Sequence, residues 1–364
     1  MKKVICIADS ILSPLGTGTE ENFLAVLEGR SAIRRYEGWM GVREPFAASL
    51  FDRTPYQGNG LSFFDSVAIA SARAAVKASG IDASSPRTGI VLSTIKGNVD
   101  AIGRGDVSLA ASARRLADAL GNPNAPLVVS NACISGLAAL VQARRMLLSG
   151  AYDHVVVTGA EVQSHFIVSG FLSLKAASDE QCRPFDAHRR GLNLGEAAAT
   201  MVLGLGEDGW ELVDGAIRND ANHISGPSRT GDGSYACLRY VLESCTPEEL
   251  AFVNVHGTST LYNDEMEAVA IDRAGLTGVP VNALKGYYGH TMGAAGVLEA
   301  ILSMRAADAG IVLATRGFEE LGVSRPVLVS ASALPTQKRA FIKLLSGFGG
   351  VNGALLFRKG GALC

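Results

Sequence analysis

The chain reads as an α/β protein on three observations. Short β-branched runs alternate with longer Ala- and Leu-rich segments of helical length. The 42 glycines are dispersed through the chain, as tight turns and close helix–strand contacts require, and form no repeat. With 364 residues and 48% hydrophobic content, the chain can bury a large core made of two packed halves.

The elements follow in order. In MKKVICIADS the apolar run is cut by Asp9 before a signal-peptide core is complete, so it reads as the first strand, with Val4–Ile7 at its centre. A helix is predicted from about Phe64 to Ser79, capped by Gly80. Leu127–Val129, Val155–Val157 and Phe252–Val255 read as further strands. Two helices carry small or apolar residues around most of their circumference and must be buried. One follows Cys133 (ISGLAALVQARRMLLSG) and the other follows His290 (TMGAAGVLEAILSMRAADAG). Each comes after a short strand and begins beside a chemically capable residue. This suggests two related halves, residues 1–208 with the cysteine and 209–364 with the histidines. Residues 44–61 and 219–234 read as loops.

Composition excludes several functions. Thirty-three Lys and Arg against 35 Asp and Glu give a net charge of −2, which suits neither a nucleic-acid binder nor a polybasic membrane surface. The apolar stretch near Gly296 is interrupted by Glu299, Arg305 and Asp308, so no membrane span is expected. The cysteines at 6, 133, 182, 237, 245 and 364 include no CxxC pair, and no histidine pair has zinc spacing. A soluble protein in a reduced, cytoplasmic setting, without a metal or cofactor, is the expectation.

Four segments carry candidate chemistry. Cys133 stands at a strand-to-helix junction in LVVSNACISGLAAL, where a helix N-terminus should lower the thiol pKa. Taken alone, such a cysteine is more often a small packed hydrophobe. His256 ends a strand in FVNVHGTSTLYNDEMEA, which continues to Glu267. VNALKGYYGHTMGAAGVLEA places Lys285 and His290 ahead of a buried helix whose charged Glu299 needs a partner, Lys285 being the obvious one. AFIKLLSGFGGVNGALLF reads as two strands around a glycine-rich turn, whose N–H groups suit an oxyanion hole.

In this order and spacing the four segments resemble the β-ketoacyl synthase family. Asn131 to Gly136 is similar to the family's nucleophile elbow. Val253 through His256, Asp264 and Glu267 resembles its VxHGT-T-x-x-x-D-x-x-E pattern, and Lys285 through Glu299 its K-x-x-x-GH-x-x-GAAG-x-x-E pattern. Gly347 to Gly353 matches GFGG-x-N-G. GAE at Gly159 to Glu161 and CRPFDAHRRGLNLGEAAA agree as well.

The resemblance implies a thiolase-like five-layered αβαβα fold and a decarboxylative condensation. Cys133 would carry the acyl group, with the N–H groups of Cys133 and Phe348 as the oxyanion hole. His256 and His290 would act on a malonyl thioester, supported by Lys285, Glu267 and Glu299. Phe171, Thr258, Thr260 and Gly349 would contact substrate. The implied partner is an acyl carrier protein, docked at Lys175 with Arg53 left from the family's basic stretch. The implied assembly is a dimer of two copies or with a related ketosynthase-like chain. Thiolases pair Cys and His with a second cysteine, initiating synthases use Cys, His and Asn, and chain-length-setting partner chains lack the cysteine. Cys, His and His therefore favour elongation, with a non-decarboxylating thiolase-type transfer or a partner-subunit role as the alternatives. The chain departs from the family in a trimmed section between Gly89 and Cys133, in Ile134, in Tyr287 and Tyr288, and in Ala197 and Ala199. These departures hint at a polyene or other secondary-metabolite pathway beside fatty acid synthesis.

Overall fold

A computed structural model describes residues 2–58, 60–103 and 105–360. Ten strands form its main sheet: β1 (Lys3–Leu12), β2 (Thr88–Ser93), β3 (Leu127–Val129), β4 (His154–Glu161), β5 (Ala197–Gly206), β6 (Trp210–Asn219), β7 (Phe252–Asn254), β8 (Val281–Asn282), β9 (Ala340–Gly347) and β10 (Val351–Lys359). Their order is β8-β7-β9-β10-β6-β1-β5-β4-β2-β3.

The order reads identically outward from its middle. In β1–β5 the first strand pairs antiparallel with the fifth, the fifth antiparallel with the fourth, and the fourth, second and third run parallel. The strands β6–β10 repeat that pattern strand for strand. Among the described residues the two sets join where Ile5 and Cys6 of β1 pair with Glu211 and Trp210 of β6.

Burial on both faces explains the composition of the strands. The helices Phe63–Ser79 and Leu109–Ala119 cover the outer face of β1–β5, and Asp232–Val241 and Leu261–Arg273 cover that of β6–β10. Ser135–Leu148 and Ala295–Asp308 lie between the two sets and touch both. The result is the five-layered αβαβα arrangement. Helix Phe63–Ser79 has its N-cap bond from the Asp65 N–H to Ser62, and ends at Gly80 in a left-handed conformation (φ 68°).

Residues 44–61 are not wholly loop. Phe46–Ser49 forms a strand between Ile33–Tyr36 and Leu194–Gly195, because its FAAS side chains are all buried despite the preceding Pro45. The other loop-like stretch, 219–234, already turns into helix at Asp232. Among the described residues no helix is long and apolar enough to cross a membrane. Cys6, Cys133, Cys182, Cys237 and Cys245 are free thiols, and Cys364 lies outside the described residues.

The two central helices meet at their glycines. A Cβ on Gly296 would lie 2.2 Å from the Leu137 nitrogen, and one on Gly136 would lie 2.9 Å from the Gly293 carbonyl oxygen. Main chain cannot yield as a side-chain tip can, so Gly296→Ala should destabilise the fold by about 1 to 3 kcal/mol or more. Gly278→Ala, where the new methyl meets nothing within 4 Å, is the control. Thermal melts should show a clear drop for the first and little change for the second.

Candidate active site

The close approach of the central helices brings their N-terminal ends together, and with them Cys133 and His290. Three non-glycine residues near these ends hold left-handed backbone: Ala132 (φ 44°), Ser259 (φ 65°) and Met292 (φ 43°). Each costs about 1 kcal/mol or more and persists only where its surroundings enforce it. Ala132 turns the chain so that Cys133 heads the helix Ser135–Leu148. Its carbonyl accepts from the Ser135 hydroxyl at 2.6 Å, which in turn accepts from the Asn131 N–H at 2.7 Å.

The Cys133 sulfur and ring nitrogens of His256 and His290 lie within 4.8 Å of one another, all three residues buried. The rings meet edge to face, with centroids 4.9 Å apart. His290 is placed by its own backbone: its N–H donates to the Asn193 carbonyl at 2.6 Å and its carbonyl accepts from the Gly195 N–H at 3.0 Å. Gly289 (φ 66°) and Gly195 allow this approach, since a Cβ on Gly289 would lie 2.3 Å from the Leu194 carbonyl oxygen. The Met292 N–H donates to His290 Nδ1 at 3.2 Å, so the ring proton belongs on Nε2, which has no hydrogen-bond partner among the described residues.

Glu267 secures the main chain at His256. Its carboxylate accepts from the N–H groups of His256 and Gly257, both at 2.7 Å, and from the Asn263 amide at 2.8 Å. Burial pushes Glu267 up to about 7 against those donors. Lys285 donates to the His256 carbonyl at 2.6 Å and to Glu299 Oε1 at 2.8 Å.

Two further residues belong to this unit and were not read as site residues in the sequence. Lys343 on β9 pairs with Glu299 Oε2 at 2.5 Å, so one buried carboxylate holds two buried ammonium groups. A lone lysine within the buried strand AFIKLLSG is the signal that could have found it. Glu161 accepts from the N–H groups of Ile95, Lys96 and Gly293 and from the Thr94 hydroxyl, tying the chain after β2 to the His290 segment. Burial raises it to about 7.

The electrostatics oppose one sequence-based expectation. Burial pushes the Cys133 thiol up to about 11, outweighing the Phe348 N–H, the Lys285 charge and its own N–H, which pull it down. Desolvation beats the helix terminus, and the resting sulfur is a thiol. Both N–H groups nonetheless face the sulfur. His256 and His290 are held well below their ordinary value of 6.5, by burial first and then by Lys285, with Lys343 adding to both.

The remaining candidates divide. Phe171 stacks on Phe348, centroids 5.7 Å apart, over the glycine-rich turn beside Cys133. The Thr258 and Thr260 hydroxyls bond to each other at 2.9 Å, and the Thr258 N–H goes to Asp264. Gly349 (φ 87°) gives its N–H to the Ile224 carbonyl. Lys175 is exposed, at the end of the helix His165–Ser173. Arg53 faces inward to Glu196 at 2.6 Å and to Asp100 at 3.2 Å, which removes it from a docking surface.

Two imidazoles and a thiol under backbone N–H donors, inside a five-layered thiolase-like fold, define a condensing acyltransferase. The family profiles for the beta-ketoacyl synthase N-terminal and C-terminal domains match residues 1–208 and 210–319. The chain is 28% identical to 3-oxoacyl-[acyl-carrier-protein] synthase 2 of Vibrio harveyi, over 98% of this chain and 99% of that one. Among solved structures it resembles a beta-ketoacyl synthase from Burkholderia phymatum (TM-score 0.89, 24% identity, 99% of this chain and 100% of that one). It also resembles the ketosynthase ApeO in complex with its chain length factor ApeC from Xenorhabdus doucetiae (TM-score 0.88, 22% identity, 99% and 98%). This chain belongs to the β-ketoacyl synthase family.

Two predictions follow from the buried charges. Glu299→Gln leaves both ammonium groups without their carboxylate, a loss of about 3 to 5 kcal/mol, whereas Lys285→Met leaves Glu299 paired with Lys343. Melting temperature should fall further in the first. The second concerns acid. Below pH 6.5 the unfolded histidines take up protons that the folded ones refuse, so each contributes a loss of about 1.4 kcal/mol per pH unit on acidification. Melts on either side of pH 6.5 should show His290→Gln losing less stability in acid than the parent; an equal loss would place an imidazolium in the folded site.

Proposed function

We propose that the chain joins an acyl group held on Cys133 to a malonyl-type unit presented by an acyl carrier protein. The sulfur attacks the incoming thioester carbonyl, the carrier thiol leaves with the proton, and the acyl group remains on Cys133. The N–H groups of Cys133 and Phe348 stabilise the tetrahedral oxyanion. A malonyl thioester then loses carbon dioxide. Its enolate oxygen is received by N–H donors of His256 and His290, its carbon forms the new C–C bond at the acyl carbonyl, and the bond to sulfur breaks.

The observation that supports this reading best is the pair of neutral imidazoles beside the thiol, one of them with a free Nε2–H. Neutral donors suit an oxyanion that appears only during reaction. Lys285, Glu267 and Glu299 hold the backbone and field behind them, and Phe171 with Phe348 covers the acyl site. Thr258, Thr260 and Gly349 are proposed to line the pantetheine approach, with Lys175 meeting the acidic carrier.

Each chain is proposed to consist of two thiolase-like halves, 1–208 and 209–364, and the working unit to be a cytoplasmic dimer of this chain with either a second copy or a chain-length-setting relative. A cysteine under oxyanion donors weighs against this chain being the chain-length-setting member itself. The substrate pathway, fatty acid, polyene or polyketide, is left to the acyl group it carries.

Intact-protein mass spectrometry after incubation with acyl carrier thioesters should show an adduct that maps to Cys133 and is absent from Cys133→Ala. His256→Ala and His290→Ala should still form the adduct while losing on the order of 100-fold or more in condensation. Condensation at the parent rate in either histidine variant, or in Cys133→Ala, would overturn the mechanism.

A further inference from the structure

We propose that Lys343 is a positioning residue of the condensing site, clamping Glu299 from the side opposite Lys285 and fixing the chain that delivers His256. The inference rests on the Cys-His-His reading above.

Lys343 is fully buried in β9, between β7 and β10, in a strand that is otherwise apolar or small. An ammonium group there loses its hydration, which is unfavourable unless other groups replace the water. The replacements are all specific to this site. Its Nζ donates to the carbonyls of Val255 at 3.2 Å, Asn254 at 3.4 Å and Leu344 at 3.1 Å, and pairs with Glu299 Oε2. Lys285 takes the next carbonyl, that of His256, and the other oxygen of Glu299. Two lysines thus grip three consecutive carbonyls, residues 254 to 256, and share one carboxylate, an oxygen each.

The two lysines and Glu299 carry one net positive charge, offset in part by Glu267 in its ionised form, and both lysine charges act against protonation of the imidazoles. The charged and titratable groups that face Lys343 are Glu299, Lys285, Glu267, His256 and His290. An imidazolium is disfavoured beside the two lysine charges, and His256 and His290 stay neutral donors further into acid than either would with Lys285 alone. Burial and Lys285 draw protons off Lys343 while Glu299 holds one on. Ion pairing at 2.5 Å keeps it an ammonium at neutral pH.

The test compares the pH dependence of condensation in the full-length enzyme, with an acyl carrier thioester and a malonyl carrier thioester as substrates. Lys343→Gln keeps an amide donor for the carbonyls but removes the charge; Lys343→Met removes both. Condensation should fall at least tenfold in Lys343→Met, and less in Lys343→Gln. In both, the acid limb of the rate profile should move to higher pH by on the order of one unit, the size expected from deleting one buried charge near a titrating group. A merely structural lysine would lower the melting temperature without moving that limb. An unmoved limb in folded Lys343→Gln overturns the proposal, as does failure of both variants to fold while Lys285→Met folds, since Lys343 would then serve folding alone. His290→Ala separates this from the underlying mechanism. If it condenses at the parent rate, the Cys-His-His reading has failed. If it is inactive while the Lys343→Gln profile stays in place, only the inference about Lys343 has failed.

Discussion

The Glu299 carboxylate, shared between Lys285 and Lys343 in the middle of the protein, is the interaction on which the rest of the site depends. Three charges cannot be buried among apolar helices and strands unless each finds partners, and here the partners are the backbone carbonyls of the chain leading into His256. The same bonds that make burial tolerable therefore fix the catalytic geometry. They also add to its electrostatics, because burial first and the two lysine charges after it keep both imidazoles unprotonated.

The fold supplies the setting by repetition. Both sets of five strands have the same connectivity, and in each the third strand leads to the segment before a central helix. Cys133 follows β3 and His290 follows β8, so equivalent positions of the two halves supply the thiol and one imidazole. His256 follows β7, and the matching chain after β2 carries Thr94 to Lys96, held by Glu161 to the His290 segment. The central helices approach closely enough for this only because Gly136 and Gly296 lack side chains. Left-handed backbone at Ala132, Ser259 and Met292 is the local cost of turning the three ends toward one another.

Much of this was legible in the sequence. Alternating strands and helices gave the class, and all-round apolar helices gave the central layer. Cys133, His256 and His290 stood out because their four segments together, in order and spacing, resemble the β-ketoacyl synthase family. Lys343 was not legible, since a lysine inside an apolar run offers no periodicity and its partner Glu299 is 44 residues away by chain numbering (343 − 299). The Phe46–Ser49 strand was hidden by Pro45 and by the Pro, Gly and polar residues that follow up to Leu61, and its pairing with Leu194–Gly195 is a long-range fact. The thiol's elevated pKa was misjudged because a helix terminus is visible in sequence, whereas complete desolvation is not.

Burial and two lysine charges hold two neutral imidazoles beside the Cys133 thiol. Nitrogen NMR of protein labelled only at its six histidines addresses this directly, with His256→Gln and His290→Gln assigning the signals. Both rings should remain neutral well below pH 6.5, His290 as the Nε2–H tautomer. An imidazolium signal from either ring at neutral pH would contradict it.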